Sequence, residues 1–225
     1  MLLLRVTAPF AAFRPFAAGV FRPTADFLTP SAAYGLLLNI AGIEMRGADG
    51  KTGTTLIAEG LPPVRLAIGA RVFPERQRLF QQLHNYPVGN TGIEKAPLAK
   101  GSKYNIKPVV RAFLSSIDAV IAVDSPELEE KIRKGLRGES QRGYGLPFLG
   151  DNAFLVDRLE EVAEPISAHW YCRPDGETET EKRRISRLTV AVDREDVWKS
   201  RTELFAPLKD STDAIPASAW VEVAY

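Results

Sequence analysis

The sequence predicts an α+β fold: an N-terminal ferredoxin-like domain over residues 1–160, then a small β-rich region over 161–225. Three observations carry this. Apolar runs of strand length alternate with two stretches of helical periodicity, in the order strand, helix, strand, strand, helix, strand, which is the β-α-β-β-α-β order. The stretch 74–106 is basic, aromatic and broken by Gly and Pro, so it reads as an excursion from that frame. The chain after about residue 165 holds only strand-like runs, "PISAHWYC", "ISRLTVAVD" and "AWVEVAY".

The first element is a buried strand, "LLLRVTA", from Leu2 to Ala8. Residues 9–30 read as a loop, because Pro9, Pro15, Pro23 and Pro30 forbid a continuous helix or central strand. Ser31 follows as a helix cap, and Leu36, Leu37, Ile40 and Ile43 recur at helical spacing, so one helix face packs on a sheet. A Gly/Thr turn region occupies 47–55, and "VRLAIGARVF" (64–73) is a strand. "KPVVRAFLSSIDAVIAVD" (107–124) is two strands or one bent strand. "SPELEEKIRKGLRG" (125–138) is a helix with a Ser cap, acids early and bases late, the order that suits the helix dipole. Residues 140–154 form a second glycine-rich loop, with a strand expected after Phe154. The charged run 173–184 is expected to be a solvated hairpin tip.

Composition narrows the function classes. The chain of 225 residues carries 29 Lys+Arg against 28 Asp+Glu, with 45% hydrophobic residues, enough for a substantial core. The net charge of +1 does not point to nucleic acid, so the distribution of charge matters more. One cysteine, Cys172, excludes an internal disulfide framework and a cysteine metal cluster, and suits a reducing cytoplasm. "MLLLRVTAPF" does not read as a signal peptide, since its apolar run is short and Arg5 interrupts it. No window approaches the ~18 apolar residues of a membrane helix.

The familiar enzyme signatures are missing from the sequence: no Walker A motif, no dinucleotide-binding glycine fingerprint and no G-x-S-x-G elbow. The two histidines, His84 and His169, are too few for a His-based metal site unless carboxylates complete it, and no cofactor or metal is expected. His84 can serve as an acid or base but reads better as a loop residue, and His169 as a structural sheet residue. Cys172 reads as a buried structural thiol.

Basic and aromatic residues tell more. Arg14 and Arg22 flank Phe13, Phe16 and Phe21. Lys95, Lys100, Lys103, Tyr104 and Lys107 fall within thirteen residues, and Arg137, Arg142 and Tyr144 cluster at the start of the second glycine loop. Cations neutralise phosphates and aromatic faces stack unpaired bases, which suits single-stranded RNA. The alternative, phenylalanines as core plugs and lysines as a solvated face, stands beside that reading. Backbone N–H groups near Ser31 and Ala32, at a helix N-terminus, are expected to bind a phosphate.

The N-terminal segment "LRVTAPFAAFRPFAAGVFRPTADFLTPSAAYGLLLNIAGIE" resembles the start of the CRISPR-associated Cas-five family of the RAMP superfamily. The resembling parts are Pro9-Phe10-Ala11, Phe13-Arg14, Arg22, and Thr29-Pro30-Ser31-Ala32-Ala33 through Gly35-Leu36-Leu37. "KPVVRAFLSSIDAVIAV" and "GLPFLGDNAF" are similar, less sharply, to later parts of the family, and the whole is most like the developmental-locus (Myxan) subtype of type I-B systems. The resemblance implies an RRM-like RAMP domain with an inserted thumb at about 74–106. It also implies a non-catalytic Cascade subunit that grips the 5′ handle of the CRISPR RNA. The implied partners are a Cas-seven backbone subunit, a Cas-eight-type large subunit and target DNA near the PAM. The RNA contacts expected are Arg14, Arg22, Ser31, Ala32, Tyr34, Lys100, Lys103, Tyr104, Lys107, Arg142 and Tyr144, with Phe10, Phe13 and Phe16 anchoring the first loop. A branch of the family in type I-C systems is a metal-independent repeat endoribonuclease with a tyrosine and a Lys-His pair. This chain has no Lys-His dipeptide, and the alternative catalytic set is His84, Tyr86 and Lys103.

Overall fold

A computed structural model describes residues 1–15, 20–49, 55–84, 106–143, 145–163 and 165–225. A single path of hydrogen-bonded strands runs through the chain, in the order β10 (Ser186–Ala191), β11 (Arg201–Pro207), β9 (His169–Cys172), β5 (Val64–Val72), β7 (Ile106–Asp124), β1 (Leu2–Ala11) and β8 (Arg158–Glu161), with β2 (Phe21–Arg22) and β6 (Glu75–His84) added to β7 and β12 (Val221–Val223) to β5. Its centre is β5, β7 and β1, and β8 is the edge strand beyond β1, all paired antiparallel. A separate hairpin, β3 (Arg46–Asp49) with β4 (Thr55–Ile57), occupies the expected turn region.

Alternation in β1 puts Leu2, Leu4 and Val6 on one face, where they join Leu36, Leu37 and Ile40 of α1 (Pro30–Ile40) and Leu128 and Ile132 of α2 (Pro126–Leu136) in the main core. The opposite face packs a smaller cluster around Ala67, Val120, Trp170 and Cys172. The thiol of Cys172 is buried, and burial pushes its pKa up, as a structural cysteine requires. The helices approach closely where a Cβ on Gly135 would stand 1.8 Å from the carbonyl oxygen of Ile40.

Several expectations change. The cap of α1 is Thr29, not Ser31: Thr29 Oγ1 accepts from Ala32 N–H at 3.2 Å, and Pro30 takes the first helical position, where its missing N–H costs nothing. Ser125 does precede α2, but its side chain makes no capping bond, and Glu129 instead accepts from the Ser125 N–H at 3.3 Å. Residues 107–124 lie in one strand, and Ser116, the described non-glycine residue with positive φ, 60°, falls between the part paired with β6 and the part paired with β5. The excursion at 74–106 begins as a regular strand, since β6 pairs with β7 from Glu75↔Ser115 to His84↔Ile106. Its middle, 85–105, lies outside the described residues. Residues 173–184 are not a hairpin tip: β9 and β10 both pair with β11, a strand the sequence reading missed, so the segment crosses over it. The C-terminal strands continue the same sheet and lend Leu188, Val190, Phe205, Val221 and Val223 to the main core. No helix among the described residues is long and apolar enough to cross a membrane.

Candidate nucleic-acid interface

The N-terminal loop leaves β1 at Ala11 and is held on both sides. Phe13 is buried; its N–H donates to Thr24 Oγ1 at 2.9 Å, and its carbonyl accepts from Ala25 N–H at 2.7 Å. Phe13 thus anchors the loop as a core plug, while Arg14 beside it stays exposed. The returning strand β2 then lies parallel to β7, with Phe21 opposite Val110 and Arg22 opposite Arg111. Residues paired in register share a face, so Arg22 and Arg111 stand side by side.

A second loop docks on the first. Ala12 N–H donates to Leu149 O at 3.3 Å, and Gly150, at φ 74°, presses so close that a Cβ would lie 2.2 Å from Ala12 O. The next residue, Asp151, ion-pairs with Arg14 and, at 2.5 Å, with Arg111. Two arginines therefore share one carboxylate, and Arg22 stands beside Arg111, which leaves an excess of positive charge next to β7. Arg111 is only 9% exposed, and Asp151 is the carboxylate that faces its guanidinium. Its pKa is lowered by burial first; Asp151 opposes this, and the charges of Arg14 and Arg22 add to it. Its guanidinium lies 4.7 Å over the ring of Phe154. Phe10 and Phe113 complete an aromatic group, edge to face at 5.4 Å, with Phe154 within 6.1 Å of both. Phe10 is 43% exposed, so the cluster opens to solvent.

The base of the β6–β7 arm is tied to the same loop. Arg76 pairs with Asp26 and donates to Thr24 O at 3.1 Å, and Arg78 lies 5.6 Å over the Phe21 ring. Leu79 and Phe80 are exposed on the arm.

Arg14 and Arg22 are thus brought together. Ser31 and Ala32 are less open to a phosphate than expected, because the Ala32 N–H is already bonded to Thr29 and Ser31 Oγ lies 3.2 Å from Thr29 Oγ1. Tyr34 is corrected outright. Its ring is fully buried, stacks on Tyr225 at 5.3 Å, and its hydroxyl donates to Pro62 O at 2.9 Å; burial raises its pKa to about 12. The apolar run of α1 buries residues nearly all round the helix, which leaves no face for RNA at position 34. Lys107 is half-buried on β7 opposite Leu83. Arg142 is exposed in the loop after α2, beside Gly138, Ser140, Gln141 and Leu146, which line an open depression. Phe16, Tyr86, Lys95, Lys100, Lys103, Tyr104 and Tyr144 lie outside the described residues. His84 closes β6 by its backbone, and its side chain also lies outside what is described. His169 is structural: its Nδ1 bonds Leu208 O at 2.9 Å and its ring meets Phe73 at 4.7 Å. Among the described residues no three His, Cys, Asp or Glu side chains are grouped to hold a metal.

Sequence reasoning missed Arg111, Asp151, Phe113 and Phe154. One signal was readable: Arg111 interrupts the apolar run "VVRAFL", and a cation there needs a partner.

Residues 1–156 match the family model described as CRISPR-associated protein (Cas5). A chain of a solved "CRISPR RNA-guided surveillance complex" shares the fold, with TM-score 0.59 at 17% identity, covering 97% of this chain and 92% of that one. A second solved structure, "Crystal structure of Cas protein", aligns with TM-score 0.45 at 14% identity over 93% of each chain. A search among curated proteins found no match. The family match spans both loops, all three arginines and the long central strand, and the chain belongs to the Cas5 family of CRISPR-associated proteins.

Proposed function

We propose that this chain is a non-catalytic RNA-binding subunit of a type I Cascade interference complex in antiviral defence, most like those of type I-B systems. It grips the 5′ handle of the CRISPR RNA in the cytoplasm. It joins a Cas-eight-type large subunit to the Cas-seven backbone, within reach of target DNA near the PAM. Residues 1–160 are read as the ferredoxin-like RAMP domain and 161–225 as its β-rich extension. The β6–β7 arm begins the thumb at 74–106. The carrying observation is the pairing of Arg14 and Arg111 with Asp151, with Arg22 next to Arg111, set beside Phe10, Phe113 and Phe154. Guanidinium groups neutralise phosphates, and partly exposed rings stack unpaired bases. Binding of this kind needs charge and shape, without a positioned proton donor or acceptor. The family membership and the shared fold support the same role.

The test is binding of labelled repeat RNA. Arg14→Ala or Arg22→Ala should weaken it by about 1–3 kcal/mol if the contacts are charge-assisted and partly desolvated. A double variant that binds like the parent at moderate salt would remove this assignment. Incubation of excess protein with repeat RNA in EDTA should give no cleavage. Site-specific cutting that disappears with His84→Ala would instead establish a metal-independent endoribonuclease.

A further inference from the structure

We propose that Asp151 is a positioning residue for RNA: a fixed carboxylate that holds Arg14 and Arg111 as one donor set and releases Arg14 to an RNA phosphate. The proposal rests on the RNA-binding reading above and names the residue that makes its arginines work together. The geometry sets out the parts. One oxygen of Asp151, Oδ2, takes both cations, Arg14 Nη2 and Arg111 Nη2. The other, Oδ1, accepts from the Ala153 N–H at 3.0 Å, and the Phe154 N–H donates to the Asp151 carbonyl at 2.9 Å. The carboxylate is therefore fixed to its own loop, and that loop is pressed on Ala12 by Gly150.

The two arginines are not equivalent. The Arg111 side chain is 11% exposed and Arg14 is 44% exposed, while Asp151 itself is 9% exposed. Arg14 can turn toward a ligand at little desolvation cost, whereas the mostly buried Arg111 keeps Oδ2 when Arg14 leaves. Without the carboxylate, three like charges would repel one another, and Arg14, on an exposed loop, would move off. A long flexible cation ordered before binding loses less entropy on binding, which is the gain from preorganisation.

This role and simple electrostatics predict opposite signs. Asp151→Asn removes a negative charge from a site for a polyanion, so charge alone predicts tighter binding. Positioning predicts weaker binding. Asn also keeps an amide oxygen for the Ala153 N–H, so the loop turn survives. The experiment titrates the full-length chain with fluorescein-labelled single-stranded polyuridine over a series of potassium chloride concentrations. Asp151→Asn should bind about tenfold more weakly, and the slope of log K against log salt should fall by about 0.7, the share of one phosphate contact on a single strand. In an Arg14→Ala background the same change should have little further effect, which a general structural defect would not reproduce. If Asp151→Asn does not fold, Asp151→Glu carries the test. It keeps the charge but moves it by one methylene, and it should weaken binding with an unchanged melting temperature. Tighter binding by Asp151→Asn, additive effects with Arg14→Ala, or parent-like binding by a folded Asp151→Glu would each overturn the role of Asp151 while leaving the RNA-binding reading intact. A parent chain that ignores both polyuridine and repeat RNA would overturn the RNA-binding reading, and this proposal with it.

Discussion

The two halves of β7 differ although they are one strand. Beyond Ser116 the strand lies between β1 and β5, and Ile117, Ala119, Val120, Ile121, Ala122 and Val123 are all buried. Before Ser116 its continuous neighbour is β6, with β1 reaching only to Leu114 and β2 touching Val110 and Arg111. That half holds Arg111 and Phe113. The difference teaches that one strand can divide the labour of the molecule. The half with sheet on both sides supplies stability. The half at the rim supplies charge and aromatic surface, and its conformation depends on two loops docked against it.

Substitutions should separate the halves. Ile121→Ala in the inner half should cost about 2–5 kcal/mol, seen as a lower melting temperature and denaturant midpoint, with RNA affinity of the folded fraction unchanged. A loss of affinity equal to the loss of stability would dissolve the division. Gly150→Ala should cost about 1–3 kcal/mol, because the φ of 74° and the Ala12 carbonyl both oppose a Cβ. Its larger effect should be on RNA binding, since it displaces Asp151; unchanged affinity would mean that the docking of the loops does not matter to the site. Tyr34→Phe removes one hydroxyl that donates to Pro62 O and should cost about 1 kcal/mol, with no change in RNA binding. An RNA defect at that position would restore the contact that burial argues against. Phe80→Ala on the arm should shift stability by no more than about 0.5 kcal/mol, because the ring is 61% exposed. A large drop in the melting temperature would show that the arm belongs to the core.

Local chemistry made several features legible. The prolines at 9, 15, 23 and 30 marked a loop, and Phe13 with Arg14 and Arg22 marked it as anchored and basic. The stretch 107–124 reads as two strands or one bent strand, and its "SS" pair holds the positive φ that stands inside the single strand. The helix cap lies two residues before the one the sequence suggests, because Thr29 and Ser31 are both good capping types and only the backbone distinguishes them. Tyr34 was misassigned because a helix with apolar residues on most sides does not reveal from spacing which of them face outward.

Local pattern in the sequence was not enough for β2, β3, β4 or β6, but it was enough for β1, α1, β5, β7 and α2 in their order, for the basic and aromatic character of the first loop and for the burial of Cys172. These follow from periodicity, proline geometry and composition, which act over a few neighbouring residues. The tertiary structure alone decided that Arg22 stands beside Arg111, that Asp151 reaches Arg14 across 137 positions of chain, and that Phe10, Phe113 and Phe154 meet. It also decided that the C-terminal strands extend the first sheet. The physical reason is that a lone buried or clustered charge is tolerable only when a distant partner is brought to it, and register across strands sets that partner.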